Sequence, residues 1–196
     1  HKAVRKSDGK ELCLKIQYPG VADAIDSDMR ALVRLLKLSR LVPMTEQFNM
    51  WLDEVREMLK REVDYDLEAH TTRHFRTALA DDTRFVVPEI VPEFSTHNIM
   101  CMTFERGIGV NDPAVLELSQ TRRNFIGRAI MELCCREVFE WNKMQTDPNF
   151  GNYLLRIGET PEQDQIVLLD FGAIRDFDNE VLGPGREMIR ASFYHD

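Results

Sequence analysis

No stretch of this sequence approaches the roughly 20 consecutive apolar residues that a membrane-spanning helix needs. It has no basic tract either, and its formal net charge of −8 argues against nucleic acid as a partner. Cysteine is sparse: the four are Cys13, Cys101, Cys134 and Cys135, and none form C-x-x-C. That excludes a zinc or disulfide framework, and they read as small buried apolar residues in a reducing compartment. Internal repeats and low-complexity segments are absent, which excludes a repeat array. The N-terminus carries no signal peptide. The chain starts at His1 rather than Met and stops at His195-Asp196 without a tail, so it reads as part of a longer protein, and these absences do not speak for that parent.

What is present is an ordinary soluble composition, 43% hydrophobic and 30% charged, in 196 residues, one domain by size. The informative stretch is Met144-Gln145-Thr146-Asp147-Pro148-Asn149-Phe150-Gly151-Asn152, read with Asp170-Phe171-Gly172. An acid is followed five residues later by an amide, then by a second acid opening a D-F-G. ATP-dependent phosphoryl transfer requires a carboxylate to orient the nucleophile and oxygen ligands to hold Mg²⁺ against the phosphates. Kinases meet that need with D-x-x-x-x-N and a downstream D-F-G. Neither motif is specific alone. Here they come in order, joined by the apolar runs 153–155 and 166–169 around a polar stretch. Two short strands and a turn would deliver Asp170 beside Asn152. The H-R-D of ordinary protein kinases is missing, and Gln145-Thr146-Asp147 stands in its place.

The rest of the chain supplies a scaffold. Residues 4–16 look like a hairpin turning at Asp8-Gly9. Alternation puts Cys13, Lys15 and Gln17 on one face of its second strand, and Leu12, Leu14 and Ile16 on the other. Lys15 in Leu14-Lys15-Ile16 echoes the kinase V-A-I-K strand. Residues 21–40 read as a helix with Ile25, Met29, Leu32, Val33 and Leu36 as its apolar stripe, broken by Pro43. A second helix, with room for a kink, spans 45–79, with Phe48, Trp51, Leu52, Val55 and Leu59 on one face. Near its end Asp64 and Glu68 are spaced i, i+4. They read either as a solvated acidic face or as the source of an acid that pairs with Lys15. His70 and His74 share that spacing, without a third metal ligand.

Strands follow at 85–91 and 99–104, the first at a sheet edge because of Pro88 and Pro92. Glu105-Arg106-Gly107 reads as a hinge into the second half. A helix over 122–143, with Ile126, Ile130, Cys134, Val138 and Trp141 on one face, leads into the catalytic stretch. Gly183-Pro184-Gly185 reads as a loop and 186–194 as a final helix.

Four segments carry a resemblance: Leu14-Lys15-Ile16-Gln17-Tyr18-Pro19-Gly20-Val21, Glu62-Val63-Asp64-Tyr65-Asp66-Leu67-Glu68-Ala69, Met144 to Phe150, and Leu168-Leu169-Asp170-Phe171-Gly172-Ala173. Together they are highly specific, and the sequence resembles, essentially end to end, the UbiB/ADCK family of atypical, protein-kinase-like proteins. The missing H-R-D is a trait of that family. The resemblance implies an α+β, protein-kinase-like bilobal fold truncated at both ends. Residues 1–106 would be an N-lobe portion, a small sheet with inserted helices and the hinge. Residues 107–196 would be a partial helical C-lobe with the catalytic loop and D-F-G.

It also implies that Lys15 is the nucleotide-phosphate lysine and Glu68 its partner, and that Asp147 is catalytic. Asn152 and Asp170 would be metal ligands, and Thr103, Phe104 and Glu105 would lie beside the adenine. Glu62 and Asp64 match the family's E-x-D motif, which in relatives engages a K-x-G-Q motif lying over the active site. The K-x-G-Q and Ala-rich segments would precede His1, and the later C-lobe helices are missing.

The implied cofactors are ATP and Mg²⁺, and the implied function is an atypical kinase or ATPase supporting ubiquinone (quinone-lipid) biosynthesis. Quinone-like lipids and ubiquinone-biosynthesis proteins would be partners, with membrane contact through parts of the parent chain. The location would be bacterial cytoplasm, peripheral to the membrane, or the mitochondrial matrix in a eukaryote. Two other readings remain: a nucleotide-gated scaffold that transfers no phosphate, and a small-molecule kinase of the aminoglycoside or choline type. The intact Asp147, Asn152 and Asp170 favour chemistry over a pure scaffold. Gln145-Thr146 departs from the histidine that more often precedes the aspartate in the small-molecule kinases.

Overall fold

The computed structural model describes residues 1–39 and 42–194. In chain order they form β1 (Lys2–Val4), β2 (Glu11–Ile16), α1 (Val21–Ser39), α2 (Glu46–Glu62), α3 (Tyr65–Ala78), β3 (Phe85–Val86), β4 (Ile99–Thr103), β5 (Ile108–Gly109), α4 (Pro113–Leu116), α5 (Gln120–Phe139), β6 (Lys143–Gln145), β7 (Tyr153–Arg156), β8 (Gln165–Leu168), β9 (Ile174–Asp176) and α6 (Asn179–Tyr194). They fall into two compact units, His1–Arg73 with Glu89–Phe104, and His74–Pro88 with the chain from Glu105 on. Residues 74–88 thus group with the second unit, and the division falls inside α3.

The first unit is built on an antiparallel sheet of order β1-β2-β4. Its hairpin closes at Gly9, whose φ of +74° suits glycine because no Cβ clashes there. The Asp8 carboxylate accepts the Lys10 N–H at 3.1 Å across the turn. Cys13 and Lys15 lie opposite Met102 and Met100 in the register. On that face Met100 and Met102 pack with Tyr65, Ala69 and Ile90. On the other face Leu12, Cys101 and Val91 form a second small core.

Helices α1 and α2 pack on one another, burying Met29 and Leu52, with Lys60 3.2 Å from Asp26. Of the expected apolar stripes, Leu32 and Trp51 are exposed. The expected helix end at Arg40 lies outside the described residues. The long helix expected over 45–79 is two helices. It breaks at Val63, and Asp64 restarts it by accepting the Leu67 N–H on Oδ1 at 2.9 Å.

In the second unit a sheet of order β3-β8-β7-β5 sits with a two-stranded β6-β9 pair. β3 is shorter than expected but does lie at the sheet edge, parallel to β8. Phe75, fully buried, meets the rings of Phe171 at 4.9 Å and Trp141 at 5.4 Å, and Leu133, Leu155 and Ile166 complete the centre of the core. α5 starts at the Ser119 cap and ends at Phe139, before Asn142, whose φ of +53° turns the chain into β6.

The buried stripe of α5 is Ile126, Ala129, Leu133 and Glu137; of the expected series Ile126 is buried and Ile130 and Trp141 pack against the core, while Cys134 is exposed. Cys134 and Cys135 are exposed, which corrects their reading as buried. The Gly183-Pro184-Gly185 segment is helical inside α6 rather than a loop. Arg186 secures it by donating to the Val138 carbonyl and to both Asn142 and Asn179.

Candidate active site

In the first unit, β2 alternation turns Lys15 toward α3, where Asp64 has started the helix one turn before Glu68. Lys15 Nζ lies 2.8 and 2.7 Å from the two Glu68 oxygens, so the expected ion pair is present and bidentate. Glu68 is only 1% exposed, whereas the Lys15 side chain is 30% exposed and lies 5.4 Å above the Tyr65 ring. A carboxylate this buried requires a cation or several hydrogen bonds.

Glu62 is exposed at the end of α2, and Asp64 is half-buried and engaged as the α3 cap. The two acids of the E-x-D therefore belong to different helices. Thr103 closes β4: its hydroxyl accepts the Glu89 N–H at 3.0 Å, and its own N–H donates to the Glu89 carbonyl. The Phe104 N–H donates to the Glu11 carbonyl, and Lys2 sits 4.6 Å over the Phe104 ring. Glu105, in the second unit, pairs with Arg156.

The second unit gathers Asp147, Asn152 and Asp170. Tyr153 pairs with Leu168 across the β7–β8 hairpin, and the Leu169 N–H donates to the Asn152 carbonyl at 2.9 Å. That register sets Asp170 beside Asn152. The Asn152 amide nitrogen faces Asp147, 3.3 Å from its carbonyl and 3.5 Å from Oδ2, so its oxygen is the atom left to meet a cation. Asp147 is exposed, as a carboxylate that orients a nucleophile has to be. Asp170 Oδ1 accepts the Gly172 N–H at 2.9 Å, which fixes the turn of the D-F-G.

Two carboxylates and an amide oxygen are hard donors suited to Mg²⁺, which takes one or two protein carboxylates and completes its shell with water and phosphate oxygens. Among the described residues no group of three or more His, Cys, Asp or Glu could hold a metal. His70 and His74 gain no third ligand in the described structure.

Two residues here escaped the sequence reading of the site. Gln17 donates to the Val63 carbonyl at the end of α2 and accepts from Asn98 at 3.0 Å. Glu137 is buried on α5 and accepts the Gln145 N–H at 3.0 Å. Burial pushes its carboxyl up, against the pull of that N–H. Tyr153 nearby is pushed up to about 12, first by burial and then by the Glu137 charge. The signal for Glu137 was an acid lying on the apolar stripe of a helix.

An ABC1 atypical kinase-like domain model matches residues 1–196. The chain is 36% identical over 98% of its length to the "Atypical kinase coq-8, mitochondrial" of Caenorhabditis elegans, covering 25% of that protein. It is 39% identical over 95% of its length to the "Atypical kinase COQ8, mitochondrial" of Saccharomyces cerevisiae, covering 36% of it. The chain thus spans about a quarter to a third of these relatives. Rv3197 of Mycobacterium tuberculosis, solved in complex with erythromycin, superposes with a TM-score of 0.70 at 30% identity, over 92% of this chain and 45% of that one. Among the described residues no helix is long and apolar enough to cross a membrane. A family model spanning every residue, relatives well above 30% identity and the shared α+β kinase-like fold establish that the chain belongs to the ABC1/UbiB family of atypical kinase-like domains.

Proposed function

We propose that this domain binds ATP with Mg²⁺ and transfers or hydrolyses its terminal phosphate, as an atypical kinase or ATPase serving ubiquinone synthesis. The observation that carries this reading is the hairpin register that sets Asp170 beside Asn152, with Asp147 at hydrogen-bond distance from Asn152. In it, residues 1–106 act as the N-lobe and 107–196 as part of the C-lobe. Lys15 donates to phosphate oxygens and Glu68 keeps it extended. Thr103, Phe104 and Glu105 line the adenine. Asp147 orients the attacking hydroxyl or water and accepts its proton. Asn152 and Asp170 hold Mg²⁺, which when bound neutralises charge on the phosphates. Glu62 and Asp64 gate the site. Quinone-like lipids are the proposed partners, in the mitochondrial matrix of a eukaryote or the cytoplasm of a bacterium.

The test is Asp170→Asn in the full-length protein. The amide keeps the acceptor for the Gly172 N–H, so the melting temperature without nucleotide should hardly move. The lost charge should weaken Mg-ATP roughly tenfold or more, about 1.4 kcal/mol per decade, while Mg²⁺-free affinity stays put. An unchanged Mg-ATP affinity rejects Asp170 as a metal ligand.

A further inference from the structure

Glu137 is an acid at a core position. It follows Ile126, Ala129 and Leu133 along the buried stripe of α5, is 5% exposed, and among the described residues makes no ion pair. Burying a carboxylate this way is costly unless it is hydrogen-bonded. Its Oε2 takes the main-chain N–H of Gln145 at 3.0 Å. With Gln145, Asn152, Tyr153 and Asp170 it lines a cavity of about 10 Å³. That is on the order of the space one water occupies.

The Gln145 side chain makes two further bonds. Its Nε2 donates to the Asp170 carbonyl at 3.0 Å, and its Oε1 accepts the Asp147 N–H at 3.1 Å. A carboxamide can donate to one and accept from the other, whereas an ionised carboxylate only accepts and an aliphatic chain does neither. Its main chain also pairs with Ile174 in the β6–β9 register. The two segments that carry the proposed catalytic and metal-holding acids therefore meet on one side chain, and that residue is fixed from behind by α5.

We propose that Glu137 and Gln145 are positioning residues that set the separation of Asp147 and Asp170, Glu137 by anchoring the Gln145 main chain and Gln145 by tying the Asp147 N–H to the Asp170 carbonyl. The role rests on the phosphoryl-transfer reading of those acids, but the tie itself does not. Gln145 stands two residues before Asp147, at the position of the H-R-D histidine, and there its carboxamide bridges the two segments.

The experiment uses the full-length protein with Gln145→Leu, Gln145→Glu, Glu137→Ala and Glu137→Gln. A misplacement on the order of 1 Å can lower turnover by up to about 100-fold. Gln145→Leu and Gln145→Glu should lower kcat by roughly 10- to 100-fold and leave the ATP affinity measured without Mg²⁺ within about twofold. A purely structural weakening would not split these two readouts. Glu137→Ala should lower kcat in the same way, and Glu137→Gln, which keeps an oxygen for the Gln145 N–H, should restore most of it.

Hydrogen exchange, read without nucleotide, should speed up together in residues 143–152 and 168–174 of Gln145→Leu. Unchanged kcat in both Gln145 variants overturns the proposal. So does Glu137→Gln being as damaging as Glu137→Ala, or exchange rising in only one of the two segments. If the unaltered protein turns over no ATP, the phosphoryl-transfer reading falls by itself, and joint or single-segment exchange still decides the tie.

Discussion

Replacing Lys15 with methionine removes a cation whose Nζ lies 2.7 and 2.8 Å from a carboxylate that is 1% exposed. At an effective dielectric of about 20 the gross attraction at this distance is roughly 6 kcal/mol. Desolvation of Glu68 takes several of those back, so the net worth of the pair is small, but breaking it from one side typically costs about 3–5 kcal/mol. Water reaches the partly exposed lysine end, which trims the expectation to about 2–4 kcal/mol. In a domain of this size that is a fall in melting temperature of roughly 4–16 °C.

Glu68→Gln is the asymmetric control. It removes the buried charge and leaves the lysine able to turn to solvent, so it should cost about 1 kcal/mol. The double variant Lys15→Met/Glu68→Gln should recover much of the Lys15→Met loss, since no charge is left buried. Urea and thermal unfolding of the four proteins close the cycle. Equal single losses that add in the double variant would refute the picture of a buried acid held by one exposed-end cation.

Asp64→Ala should cost about 1 kcal/mol by removing the α3 cap, Asp64→Asn much less, and Glu62→Ala no more than about 0.5 kcal/mol; equal losses at the two acids in urea titrations would contradict the capping role. Asp164 is buried, which pushes its carboxyl up, but Arg122 at 2.6 Å and the Gly158 N–H outweigh burial and hold it below the usual aspartate range. A carboxyl held low stabilises the fold above its unfolded value near 4 and loses that contribution as pH falls through the folded value. The stability gap between the unaltered protein and Arg122→Leu should therefore be widest near neutrality and narrow below about pH 4; a gap constant from pH 7 to 3 would count against it.

The juxtaposition of the residues proposed as catalytic was legible because its geometry is local. Asp147, Asn152 and Asp170 sit around a hairpin whose two apolar runs pair Tyr153 with Leu168 and Leu155 with Ile166, and that register sets which residues meet. Lys15 was legible by the same two-residue period. The break at Val63 was not, since helix-forming residues flank it on both sides. It is set by the Asp64 cap and by Gln17, just past the end of β2, which reaches the Val63 carbonyl from far away in sequence. The start of α6 was hidden for a similar reason: Arg186 holds a Gly-Pro-Gly segment in helix through contacts made at 138, 142 and 179.

On α5 a series of strict four-residue steps drifts about 40° per step around the helix, so it leaves the core face by Cys134. The face that stays buried takes steps of three, four and four, and it ends on a charged residue that hydrophobic pattern reading passes over.

The E-x-D acids look different once α2 and α3 are separate helices. β2 and the residue just after it grip the α2–α3 junction at two points, Gln17 on the Val63 carbonyl and Lys15 on Glu68. Asp64 lies between them, with one oxygen on the Leu67 N–H. A carboxylate has about four acceptor sites, so a cation can reach Asp64 through its second oxygen without uncapping the helix. Negative charge at a helix N-terminus is favourable, which helps hold the Asp64 carboxylate in place. Under the gating reading, a lysine that spans Glu62 and Asp64 joins the last turn of α2 to the cap of α3. Any shift of that junction is carried by a rigid turn of helix to Glu68, four residues on, and from there to the lysine proposed to hold the phosphates. The acid pair then acts on the nucleotide through the α3 start rather than by reaching the nucleotide itself, which is why its two carboxylates need not share a helix face.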